Sequence, residues 1–210
     1  MKKQIIIILL LSFSIANFAQ TAGDLFKTGD AKIIWLGVVF SHVKLIGITD
    51  IGEVSTSEIR DKYFRQWNYL ILSEPDKYDI NGMLYRWDIS SDIEMVMNLN
   101  AKTNLENMET YNAPQYTKED IEGFVKEFDL NEKEGIGVLF LAECLNKIKT
   151  EAYFHFVAIN MNTKEVLLHE RLRGVPSGFG LRNYWAGAIY RIIKDIKSTY
   201  YKNWKRQYSQ

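Results

Sequence analysis

His155, His169 and Glu143 carry the sharpest chemical suggestion in the chain. All three lie in apolar runs near the carboxyl end that read as strands. If residues 161–163 form a turn with Asn160 facing Lys164, the two imidazoles become direct cross-strand neighbours. Glu143 then sits diagonally beside them, provided that Leu145 faces Glu151. Two histidines and a carboxylate on one face are a ligand set for Zn²⁺. A one-residue slip would separate the histidines onto opposite faces. The chain has no HExxH and no paired-Cys motif. A solvated sheet face is the plainer reading, so no metal is assigned and no motif calls for a cofactor.

The second candidate is the segment 174–183, which links the last strand to the last helix. Ser177, Gly178 and Gly180 can present backbone N–H groups at a helix N-terminus, where the dipole favours anions. Arg182 adds a fork for a carboxylate or phosphate. These four residues are the candidate ligand-binding set. The segment lacks the third Gly of a dinucleotide fingerprint, having Asn183 there, and lacks the GK[ST] of a P-loop. A tight strand-to-helix connection that needs Gly for its backbone angles is the plainer reading. Ser177 has no GxSxG around it, and no motif places a carboxylate pair. Cys144 is the single cysteine, so no intramolecular disulfide can form, and it falls on the expected core face. No catalytic residue is assigned.

Positioning these residues requires a mixed sheet. Ile33–Phe40 is almost continuously apolar, a strand covered on both faces, and His42–Ile48 continues it after a bend. Ser55 and Glu58 have capping-box spacing, opening a helix through Ile59, Tyr63, Trp67, Leu70 and Ile71 that Pro75 ends. Lys77–Trp87 reads as a short helix or turn. Ile93, Met95, Met97 and Leu99 alternate with polar residues, which predicts a half-buried strand. Residues 101–116 read as a loop. Thr117 and Asp120 open a helix with Ile121, Phe124, Val125 and Phe128 on one stripe.

Ile136–Leu145, Glu151–Asn160 and Lys164–Leu172 form an antiparallel meander. One face, with Phe140, Ala142, Cys144, Phe154, Phe156, Ala158, Val166 and Leu168, is core. The other, with Glu143, Tyr153, His155, Val157, Glu165, His169 and Arg171, is expected to be partly wet. From Arg182 a long amphipathic helix buries Trp185, Ala188, Ile189, Ile192, Ile193, Ile196 and Tyr200. The fold class is therefore α/β (α+β): one domain, a mixed sheet of about five strands, and a long closing helix.

The chain has 210 residues with 26 basic and 26 acidic side chains. Lys2 and Lys3, the apolar run from Ile5 to Leu11, and small residues up to Ala19 have the layout of a signal peptide, cleaved after Ala19. Residues 20–210 are then a single exported domain of formal charge about −2, periplasmic or secreted. No Cys follows the junction, so it is not a lipoprotein. With no basic excess, a nucleic-acid partner is not expected.

Charge is uneven: nine acidic residues face three lysines between Glu106 and Glu134, and seven basic residues face Asp195 alone from Arg182 onward. The tail from Tyr200 to Tyr208 interleaves aromatic and basic groups, which suits a membrane surface or an anionic polymer, though a solvated helix end whose Lys and Arg complement the C-terminal dipole is the plainer reading. The acidic segment is a second candidate to dock on it, within a chain or between chains. Deleting residues 201–210 is expected to leave the domain folded.

The strand Gly137-Val-Leu-Phe-Leu-Ala142, the strand Tyr153–Asn160, the turn Asn162-Thr-Lys-Glu-Val166, a Gly-containing loop and a closing amphipathic helix follow one another over residues 135–200. This succession resembles the module of bacterial envelope proteins of the TolB amino-terminal and CsgG-like kind. Lys164-Glu165-Val166 stands where that module carries Gly-Glu-Val. The resemblance implies an envelope assembly or accessory role without catalysis, and it transfers no functional residue. The expectation is a non-catalytic binding or assembly module, acting on an envelope protein or on itself. The alternative is a periplasmic small-ligand-binding protein or hydrolase that uses residues 174–183.

Overall fold

Ile136–Asn146 is the axis of the molecule, an eleven-residue strand with every residue buried. In the computed structural model, which describes residues 20–27, 29, 31–48, 54–130 and 133–209, this strand (β4) has a partner along each edge. On one side run β1 (Ile33–Val39) and then β2 (Lys44–Ile46), both parallel to it. They are two pieces of one interrupted strand, broken by a turn in which the Val43 N–H donates to the Phe40 carbonyl. On the other side follow β5 (Glu151–Asn160) and β6 (Val166–Gly174), both antiparallel. The short β3 (Ser90–Ser91) pairs with β1 and completes a six-stranded mixed sheet. The expected α/β class and the carboxy-terminal meander are both observed.

Helices cover both faces. Beneath one lie α1 (Thr56–Glu58), α2 (Phe64–Ser73), α3 (Ile80–Met83), α6 (Gly180–Asp195) and α7 (Tyr201–Tyr208). Trp67, Trp185, Ile192 and Trp204 pack there against Phe140, Phe154 and Phe156. Over the other lie α4 (Glu94–Ala101) and α5 (Lys118–Lys126), whose Val96, Ile121 and Val125 meet Leu139, Leu141, Val157 and Ile159. That second face is therefore buried, not partly wet as its mixed composition suggested. Its outer edge, at His169 and Arg171 of β6 and the neighbouring Tyr153 of β5, reaches solvent. The acidic α5 and the basic α7 lie on opposite faces of the sheet, so within one chain they do not dock on each other.

Where the alternation of Ile93, Met95, Met97 and Leu99 predicted a strand, Glu94–Ala101 is a helix, with Ile93 at its N-cap. Val96 breaks the apparent alternation. Asn100, polar but buried, stands one turn from Val96 and faces inward. Its job is to finish the edge of β1, which runs on past the two residues of β3. Asn100 Oδ1 accepts the Phe40 N–H at 2.7 Å, and Asn68 Oδ1 accepts the Val38 N–H at 2.7 Å. Both amide groups also donate to the Val38 carbonyl. Two buried side chains thus replace a missing strand and satisfy backbone groups that burial would otherwise penalise.

Two π turns reset the helix faces. Between α1 and α2, at Ile59–Tyr63, the Phe64 N–H reaches back five residues to Ile59. Between α6 and α7, at Ile196–Tyr200, Tyr201 does the same to Ile196. Each inserts one residue into the helical register. Phe64 therefore takes the core position expected of Tyr63, and Tyr201 that expected of Tyr200. Trp204, 3 % exposed, packs on Phe156 with ring centroids 5.1 Å apart. The tail is thus part of the core, and removing residues 201–210 would open it.

Candidate functional site

The residues singled out as metal ligands do come together, in a different register. A turn one residue longer than assumed, with Asn160 facing Glu165, and a one-residue shift at Ala158/Ile159 together set His155 opposite Arg171 and Val157 opposite His169, two residues on from the assumed pairing. Val166 consequently faces the α5 side. A second shift between Ala142 and Cys144 lets Leu145, not Cys144, continue the core stripe of Phe140 and Ala142. Cys144 is buried, and burial pushes its thiol up to about 12, so it is inert.

The result is a chain of hydrogen bonds. The Arg171 guanidinium grips Glu143, with Nη2 to Oε1 at 2.6 Å and Nε to Oε2 at 3.0 Å. Glu143 Oε2 lies 2.9 Å from His155 Nε2, and His155 Nδ1 lies 2.6 Å from His169 Nε2. Burial alone would raise Glu143, but bonds from His155, Arg171 and the Tyr116 N–H outweigh it and hold the carboxyl below its usual range. The charged Glu143 fixes a proton on His155 Nε2, an assignment that follows from its partner. Burial first, then the neighbouring His155 and Lys118, push His169 down to about 4, so it is neutral at neutral pH.

This is not a coordination site. Two nitrogens on one Zn²⁺ would stand about 3.3 Å apart, given Zn–N bonds of about 2.0 Å at tetrahedral angles. Here a hydrogen bond already joins them, and Glu143 occupies the opposite side of the His155 ring. Among the described residues no group of three or more His, Cys, Asp or Glu is arranged to hold a metal ion. Nor is the inner pair of the relay open to a substrate. His155 and Glu143 are fully buried, and Tyr116 covers them, its hydroxyl donating to the His42 carbonyl at 2.6 Å. His42 in turn stacks on Phe124 of α5 at 3.7 Å.

An open cleft of about 590 Å³ lies at the β4–β5 turn end of the sheet, between the segment 178–184 and three other stretches. Ile48 after β2, Val54 before α1 and Tyr63 in the first π turn form one wall; Leu181 and Tyr184 of α6 form another. The π turn that withdraws Tyr63 from the core is what frees it for this wall. Lys147, at the start of the β4–β5 turn, stands at the rim with Nζ 3.8 Å over the Tyr184 ring. Residues 49–53, which join Ile48 to Val54, lie outside the described residues.

Of the four residues proposed from sequence, Gly178 and Gly180 line this cleft, both with positive φ (113° and 77°). Ser177 and Arg182 stand off it. The Ser177 backbone lies so close to α6 that a Cβ on Gly187 would come within 2.2 Å of the Ser177 carbonyl oxygen. The Arg182 carbonyl accepts from Trp67 Nε1 at 2.9 Å, while its guanidinium turns outward to Asn183. The sequence reading missed Tyr63, Lys147, Phe179 and Tyr184; only Gly178 and Gly180 pointed there.

Comparison with family models, with curated proteins and with solved structures gives no match.

Proposed function

We propose that this chain is a non-catalytic binding or assembly module of the cell envelope, exported by its first nineteen residues, which lie outside the described residues. Its recognition end is the cleft beside Gly178–Tyr184 together with the β4–β5 turn. One observation carries this reading: the cleft beside Gly178–Tyr184 and the buried carboxylate–histidine pair are in different places. The described residues lining the cleft include no His, Cys, carboxylate or Ser. Among the described residues the buried carboxylate–histidine pair, Glu143 and His155, is closed off beneath Tyr116, and the relay meets solvent only at its outer members, His169 and Arg171. The resemblance of residues 135–200 to envelope modules of the TolB and CsgG-like kind points the same way.

Site-specific photocrosslinking tests the reading. A photoreactive residue at Phe179, 95 % exposed, should give an adduct in intact producing cells. The same group at Glu119 on α5 should give none. Equal labelling at both positions, or at neither, would rule the recognition end out.

A second reading is a small-ligand-binding protein, favoured by the cleft volume, which lies within the range of ligand pockets. Native mass spectrometry of the chain from Gln20 onward separates the two. Retained mass on a monomer supports the ligand; a bare chain supports docking of a larger partner.

A further inference from the structure

Three apolar side chains stand in solvent at the recognition end. Phe179 is 95 % exposed, Ile148 68 % and Val175 43 %. The topology puts them together. Ile148 is the second residue of the β4–β5 turn, directly after Lys147, which shares the cleft rim with Phe179. Val175 follows Gly174, which pairs with Ala152 beside the same turn. Phe179 is held between Gly178 and Gly180, whose positive φ values of 113° and 77° a side chain would strain. The backbone is thus built to carry an aromatic ring outward.

Basic groups surround these tips. Lys147 and Lys149 flank Ile148 on either side, and Arg182 follows Phe179 by three residues. Among the described residues none of these three is paired with a carboxylate. Glu151, the acidic residue next to the turn, is already bound by Arg173 at 3.0 Å. Apolar tips ringed by cations that have no carboxylate partner among the described residues are complementary to one kind of surface, in which hydrocarbon lies beneath negative headgroups.

We propose that this end of the domain docks on an anionic phospholipid bilayer, with Phe179 and Ile148 entering the interface and Lys147, Lys149 and Arg182 at headgroup level. The proposal rests on the reading that this is the recognition end, and it names the partner. The basic residues of α7 are not needed for it.

Co-sedimentation of the chain from Gln20 onward tests it; both core clusters begin at or after Leu25, so this piece keeps its core. The probes are vesicles of phosphatidylcholine alone and of phosphatidylcholine mixed with phosphatidylglycerol. Binding is expected to the mixed vesicles and to weaken with salt. The exposed pair I148S/F179S should bind at least about tenfold more weakly. Lys147→Ala with Lys149→Ala should lose about fivefold per charge. All variants should keep the wild-type melting temperature. A wild-type chain left in the supernatant overturns the proposal, as does an I148S/F179S variant that sediments fully. A photocrosslink from position 179 to a protein and not to lipid overturns the bilayer while leaving the recognition end standing.

Discussion

Replacing His169 with Gln should flatten the acid side of the protein's stability profile. In the folded chain this imidazole titrates at about 4, against 6.5 when free, because burial and then the adjacent His155 oppose its charge. Between those values the unfolded chain binds more protons, so stability is complete above about pH 6.5 and falls as the pH drops toward 4. At about 1.4 kcal/mol per pH unit, the full effect has a ceiling of about 3 kcal/mol. His169 is only half-buried, and partial exposure to water screens it. A loss of roughly 1–2 kcal/mol between pH 7 and 4.5 is therefore expected.

Urea denaturation at intervals across that range measures it. The carboxyls held low, Asp24, Asp79, Asp88, Asp92 and Glu143, lose their contribution mainly at lower pH. They are also common to both proteins, so the difference between the profiles isolates position 169. Gln cannot acquire a charge, yet its amide can still donate to His155 Nδ1. Wild-type and H169Q curves that fall in parallel would refute the relay as described here.

Other substitutions probe the supports of the site. Asn68→Leu should destabilise by about 2–4 kcal/mol in urea unfolding, since the buried Val38 N–H loses its acceptor. Wild-type stability would mean that β1 finds another edge partner. Trp204→Ala should cost about 3–5 kcal/mol, and truncation after Tyr200 should abolish the cooperative melt. A truncated chain that melts like the full one would remove the tail from the core. Gly187→Ala should push the segment 174–180 off α6 and reduce crosslinking from position 179, because its Cβ would meet the Ser177 backbone. Unchanged crosslinking would show that this close contact does not shape the cleft.

Much of the architecture was legible because local signals agreed. Thr117 and Asp120 form the capping box their spacing announces, and α2 stops just before Pro75. The short connections among β4, β5 and β6 dictated their antiparallel order. What escaped detection were single-residue insertions, which leave composition and periodicity almost unchanged. A β-bulge moved Cys144 to the other face, a turn one residue longer than assumed did the same to Val166, and two π turns moved Tyr63 and Tyr200 out of the core. Asn100 misled in another way: a polar residue usually marks a wet position, but here it caps a buried strand edge. The histidine relay was found because its residues share a face in either register. The cleft was harder to read, since four separate stretches of chain build it, and only Gly178 and Gly180 were anticipated.

Hydrogen-exchange mass spectrometry of the chain, free and bound to membranes from producing cells, decides which end of the domain docks. Added protection is expected in peptides covering residues 146–150 and 174–184, with α4 and α5 unchanged. Protection over α5, or none at all, would contradict docking through this end.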